Sequence, residues 1–220
     1  MQRTIQKLSS YPAAFLLLMQ TLSIILHPFL ETAQYHQAIF SCFNIITLLL
    51  AVWVINRSPA INWVAWALAA PAILLTILFV LKENNQYLIW AQAIESIMYF
   101  YTAIGLVMYM FNDHIITRDE LYASAATFTV LAWGFALAYS VCQQIYPGSI
   151  TGAVNPEQAR TWVDLIFVSF SILSSTGYGD IMLVHPVAKV IGTIQMFIGL
   201  MYMALIVSRL ISLTALVRKG

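Results

Sequence analysis

The residues in this chain whose types and spacing point to chemistry are Ser175, Thr176, Gly177, Tyr178, Gly179 and Asp180. Two glycines flank a tyrosine, and glycine adopts the left-handed backbone conformations that other residues resist. Alternation of that kind lets successive carbonyl oxygens face the same way. A row of such oxygens can replace the hydration shell of a cation. The hydroxyl of Ser175 adds an oxygen at one end of the row, and Asp180 puts an acid at the other. In most soluble sequences a Gly-Tyr-Gly run is a loop joining two helices. Here it lies in an apolar chain between two helical patterns, a context that favours a site over a plain connection.

The stretch resembles the filter of the potassium channel pore-loop family, in which a threonine, a variable residue, Gly-Tyr-Gly and an acid follow a short pore helix. Ser175 stands where that family usually has threonine and keeps the hydroxyl of the innermost ion site, while Thr176 takes the variable position. The resemblance implies that Ser175, Thr176, Gly177 and Tyr178 supply oxygen ligands to K+. Gly179 supplies backbone geometry and Asp180 the acid at the outer mouth. It further implies a homotetramer, since each chain carries one filter stretch and the oxygen rings need four. Many members tie the acid after the filter to a tryptophan or glutamate in the pore helix. The corresponding positions here are Phe167 and Ser171, so Asp180 is expected to accept from Ser171, from backbone or from water, and inactivation to differ from other members.

The filter must be presented by a helix that does not cross the bilayer. Residues 162–174 are apolar but reach only about 20 Å at roughly 1.5 Å per residue, so they predict a re-entrant pore helix. Its carboxyl end would present the negative end of the helix dipole to a cation. Asp164 sits at its start, where an acid complements the dipole or simply begins the helix.

Six further segments are long enough to span roughly 30 Å of hydrocarbon, which takes about 20 helical residues. They cover 11–30, 38–55, 61–81, 87–111, 121–146 and 186–213, separated by charged and helix-breaking residues such as Asn56-Arg57-Ser58-Pro59 and Lys82-Glu83-Asn84-Asn85. Arg3 and Lys7 precede the first, as in a secretory leader, but His27-Pro28-Phe29-Leu30 offers no small-residue cleavage site, so a retained helix is expected. Placing both termini in the cytoplasm puts Arg3, Lys7, Arg57, Arg118, Arg209, Arg218 and Lys219 inside, against Lys82, Arg160 and Lys189 outside. This orientation sets the filter at the outer face of the cell membrane.

The predicted fold is therefore an all-α membrane protein: six transmembrane helices, a re-entrant pore helix and a filter loop. A four-helix membrane domain covers 1–116 and a pore domain covers 117–220. The span count is like the voltage-gated layout, yet 87–111 contains no Lys or Arg. Without gating charges, each worth about 2.3 kcal/mol per 100 mV, steep voltage dependence is not expected. The resemblance is to a bacterial-type six-span channel lacking both an arginine-bearing fourth segment and a cytoplasmic domain. Only 214–220 follow the last span, so no soluble effector domain is expected and gating would arise in the membrane part or from a separate protein.

In the last span, Gly199 lies twenty residues after Gly179, the spacing at which this family often has a hinge glycine. Close helix packing is the other reason for a glycine there. Met196, Leu200, Met203, Val207 and Ile211 form a stripe at helical spacing, and Met203, Val207 and Ile211 are candidates for a hydrophobic constriction. Glu95, inside the fourth span, is a candidate intramembrane sensor because a carboxylate at that depth is costly. Its alternative role is a hydrogen bond to neighbouring helices.

Composition closes off other classes. With 61% hydrophobic and 9% charged residues and a net charge of +1, the chain offers no basic surface for nucleic acid. Cys42 and Cys142 both lie in apolar segments. His27, His36, His114 and His185 have no metal-ligand spacing, and no nucleophile, base and orienting group come together, so neither an enzyme nor a cofactor beyond bound K+ is expected. The expected function is selective K+ conduction. The competing readings are a weakly selective cation channel, disfavoured by the intact tyrosine, and a non-conducting membrane sensor or regulatory subunit.

Overall fold

The computed structural model describes residues 12–30, 36–56, 58, 60–82, 84–111 and 118–217. The described residues form seven helices and one short ribbon, in the order α1 (Pro12–Leu30), α2 (His36–Ile55), α3 (Asn62–Lys82), α4 (Asn85–Met110), α5 (Arg118–Ile145), β1 (Ile150–Gly152), α6 (Trp162–Leu173), β2 (Ile181–Leu183) and α7 (Pro186–Val217). A helix stands at each of the six predicted spans and at the predicted pore helix. Among the described residues, Asn62–Lys82, Asn85–Met110, Leu121–Ile145 and Pro186–Arg209 are long and apolar enough to cross a membrane. Ala13–Phe29, Ser41–Ile55 and Trp162–Leu173 are apolar helices that fall below that length.

Two compact units are present, one holding α1 to α4 with α5 as far as Gly134, the other running from Phe135 onward. In the first unit α3 presents a face of small residues to its neighbours. Ala65, Ala69, Ala72, Thr76 and Phe79 are buried on it, one or two per turn. Small side chains allow membrane helices to approach closely, since lipid gives no hydrophobic drive for association. Buried residues on α4 include Ala91, Glu95, Met98, Tyr99 and Thr102, and Glu95 meets Thr76 of α3. Asn84 caps α4, its side chain accepting the N–H of Gln86 at 2.9 Å. Ser96 on α4 donates to the carbonyl of Gly134 on α5 at 2.8 Å. A side chain at Gly134 would press on the Phe100 ring.

Among the described residues, the second unit carries the one departure from an all-helical reading. Strands β1 and β2 pair antiparallel, with Ile150 opposite Leu183, Thr151 opposite Met182 and Gly152 opposite Ile181. This ribbon joins the loop after α5 to the chain that leaves the Gly-Tyr-Gly stretch. Arg160 organises the loop between β1 and α6. Its guanidinium donates to the carbonyls of Val154 at 3.2 Å and of Asn155 and Gln158 at 2.6 Å. Gln143 on α5 exchanges two bonds of 3.0 Å with the Arg160 backbone.

Candidate functional site

Helix α6 begins with a reciprocal cap. Thr161 Oγ1 accepts the N–H of Asp164 at 3.2 Å, and Asp164 Oδ2 accepts the N–H of Thr161 at 3.1 Å. Two amides that have no partner inside the helix are thus satisfied, which accounts for Asp164 as a helix-start residue. The helix then runs through an apolar sequence with Leu165, Ile166, Val168, Ser169 and Leu173 buried. It ends at the cap Ser174.

The residues that follow fold back onto the end of α6. The Ser171 carbonyl accepts the N–H of Thr176 at 2.9 Å and of Gly177 at 3.3 Å, and Ser171 Oγ accepts the N–H of Tyr178 at 2.9 Å. One serine thus receives three consecutive amides of the hexapeptide. With the amides directed at Ser171, the hexapeptide's own carbonyls are left for other partners. Ser174 and Thr176 hydroxyls lie 2.7 Å apart. Phe167 meets Tyr178 edge to face, ring centroids 5.5 Å apart and planes at 78°, the arrangement aromatic quadrupoles favour.

Backbone conformation alternates along this stretch. Ser175, Gly177 and Gly179 have φ of 57°, 61° and 86°, whereas Thr176 and Tyr178 between them do not enter the left-handed side. The glycines meet this demand at no steric cost. Ser175 does not, and its positive φ stores about 1–3 kcal/mol of backbone strain. Threonine, being β-branched, would fit that conformation less well than serine. A physical reason for serine at 175 is therefore visible in the backbone.

Asp180 is held through its main chain, its carbonyl accepting the N–H of Ala153 at 2.8 Å beside the ribbon. Of the partners expected for Asp180, Ser171 makes no bond to it among the described residues, and the Ser171 hydroxyl accepts the N–H of Tyr178. His185 begins the next helix, its Nδ1 accepting the N–H of Val187 at 3.3 Å while its ring stacks on Tyr146 at 4.4 Å.

On α7, Gly199 lies against the carbonyl of Leu173. A Cβ at 199 would meet that oxygen at an impossible distance and come within 3.0 Å of the carbonyl carbon. Close packing against α6 accounts for this glycine. Met196, Leu200, Met203 and Val207 are exposed on the chain taken alone. The Ile211 side chain lies outside the described residues. Glu95, in the first unit and 1% exposed, has Oε1 3.1 Å from Thr76 Oγ1 and a second bond from the Asn44 side chain. Its Oε2 is buried with no hydrogen-bond partner among the described residues, so part of the carboxylate links α4 to α2 and α3.

Sequence reasoning missed a buried polar chain in the second unit. Tyr139 donates to Gln195 Oε1 at 2.7 Å, and Gln195 Nε2 donates to the Ser169 carbonyl at 2.9 Å and to Ser169 Oγ at 2.7 Å. The signal for it was Gln195 itself, an amide in the middle of an apolar span, where a polar side chain needs partners.

A family model described as an ion channel matches residues 72–215, about two thirds of the chain. The match takes in α4, α5, the ribbon, α6 and the hexapeptide, together with most of α3 and α7. No curated protein and no solved structure matches the chain.

Proposed function

Since the chain belongs to that ion channel family, we propose that the ion it passes is K+, selected at Ser175 to Asp180 and carried passively down its electrochemical gradient. The observation that carries this reading is the alternation of left-handed backbone at Ser175, Gly177 and Gly179 above a single anchoring residue, Ser171. Alternation gives a row of carbonyls a common direction, and Ser171 holds it by the amides that remain. Four chains would bring four such rows around one axis. Each K+ then exchanges its water shell for carbonyl oxygens of Ser175, Thr176, Gly177 and Tyr178, with the Ser175 hydroxyl at the inner end. Asp180 keeps a negative charge at the outer mouth, which raises the local cation concentration.

The first two helices complete a six-span membrane topology with both termini in the cytoplasm. In this reading residues 1–116 form a four-helix membrane domain and 117–220 the pore domain. The fourth span has no Lys or Arg between 87 and 111, so the channel opens without steep dependence on voltage. Met203, Val207 and Ile211 line the inner end of the conduit as a hydrophobic constriction.

The deciding experiment is a reversal potential, measured on purified protein in a planar bilayer with opposed K+ and Na+ gradients. A value close to the K+ equilibrium potential is the expected result. A value near zero overturns selectivity. Reconstituted protein that passes no current under any stimulus, while remaining tetrameric, favours a regulatory subunit.

A further inference from the structure

The second unit contains a contact register that the filter reading does not use. Gln195 on α7 meets Ser169 on α6, and one turn later Gly199 on α7 meets Leu173 on α6. Each pair is separated by the same number of residues, so the two helices run parallel over this contact and mesh turn for turn. The upper contact is polar and the lower one is a backbone touching a backbone.

The polar contact has only one consistent hydrogen arrangement. A main-chain carbonyl can accept but never donate, so the Gln195 atom facing the Ser169 carbonyl must be the amide nitrogen. The amide oxygen then faces Tyr139, whose hydroxyl must donate. Every hydrogen-bonding atom of the Gln195 side chain is used: both N–H groups go to Ser169 and the oxygen accepts from Tyr139. All three residues are fully buried. An apolar side chain of the same length would fill the space and leave the Tyr139 hydroxyl without its partner, at a cost characteristic of buried polar groups.

Two residues beyond Ser169 stands Ser171, which receives the amides of Thr176, Gly177 and Tyr178. The lateral and axial position of Ser171 is therefore set by a helix that is itself held by Gln195 from one side. We propose that Tyr139 and Gln195 are positioning residues for the filter: they fix α6, and through Ser171 the spacing of the carbonyl row, and so contribute to the choice of K+ over Na+. They supply from outside the pore helix a brace to its carboxyl-terminal half. The inference rests on the proposed K+ conduction.

The test uses the full chain reconstituted in planar bilayers, with Tyr139→Phe and Gln195→Met made singly and together. Tyr139→Phe removes one oxygen and keeps the ring, so it reports even where Gln195→Met yields no folded protein. The K+/Na+ permeability ratio, taken from reversal potentials, is expected to fall by about tenfold in each single variant, the scale of one buried hydrogen bond to an uncharged group. The double variant is expected to fall no further than the worse single, because both break one chain of bonds. Single-channel current at saturating K+ should change less than the ratio. A helix brace with no role at the filter would lower thermal stability and leave the ratio where it was.

A wild-type ratio well above one with both single variants matching it overturns this inference and leaves the channel reading intact. Additive losses in the double variant overturn the linked arrangement. A wild-type ratio near one overturns the K+ reading and this inference with it.

Discussion

The hydroxyl of Ser171 accepts the backbone N–H of Tyr178 at 2.9 Å, across the turn that joins the end of α6 to the Gly-Tyr-Gly stretch. The same serine was one of three partners that sequence reasoning offered for Asp180, beside backbone and water. Its use for Tyr178 instead makes the tyrosine's amide the point of attachment, and the Phe167 ring holds the same residue from its side chain. Replacing Ser171 by alanine removes the acceptor and costs about 1 kcal/mol. The reversal potential of Ser171→Ala should move away from the K+ value, and Ser171→Thr, which keeps a hydroxyl, should restore most of it.

Serine at 175 carries a φ of 57°. Glycine there removes the strain and should stabilise the folded protein by up to about 1 kcal/mol, while threonine should destabilise it by a similar amount. Thermal unfolding in detergent at fixed K+ measures both. The order Gly above Ser above Thr is the expected outcome, and a threonine variant as stable as wild type contradicts the assignment of strain.

Gly199 offers no room for a methyl group beside Leu173. Gly199→Ala should therefore overpack the contact between α6 and α7 and cost about 1–3 kcal/mol. The readout is the unfolding midpoint together with the yield of assembled protein. A glycine needed only for bending would lose opening probability on this substitution with its midpoint unchanged.

Arg160 reaches three different loop carbonyls with one planar group. Lysine has one compact charge and cannot span them. Arg160→Lys should therefore behave like Arg160→Ala, with faster amide hydrogen exchange over 153–160 and an unaltered reversal potential.

Glu95 is placed among Thr76 and Asn44 as a bonding partner of three helices. Glu95→Gln keeps both a donor and an acceptor there, so currents should retain the wild-type response to pH. Loss of that response would make Glu95 a proton sensor instead. Glu95→Ala leaves a cavity and unpaired neighbours, a loss of about 2–5 kcal/mol.

Much of the fold was legible in order of residues alone, because apolar runs of membrane length and a short apolar run before Gly-Tyr-Gly leave few arrangements. The anchoring of the hexapeptide on Ser171 was not, since a serine near a helix end reads equally as a cap, a solvated residue or a partner for Asp180. Ile150–Gly152 and Ile181–Leu183 are too short for strand periodicity to show. The Tyr139, Gln195 and Ser169 chain joins residues far apart in sequence, which no local pattern reports. Gln195 nonetheless announced a need for partners, and the side of the helix it occupies is the side that carries Gly199.

The ribbon pairs Gly152 with Ile181, and everything between them, including α6 and the filter, is a closed loop whose two ends meet at one place. Lengthening such a loop costs only about 0.6 kcal/mol per doubling. Residues inserted between β1 and Arg160 therefore carry little closure cost, the loss falling on the Arg160 bonds to Val154, Asn155 and Gln158 while Asp180 stays tied to Ala153. In the proposed channel, the loop beside the filter is in that sense free to vary in length without retuning the ion path.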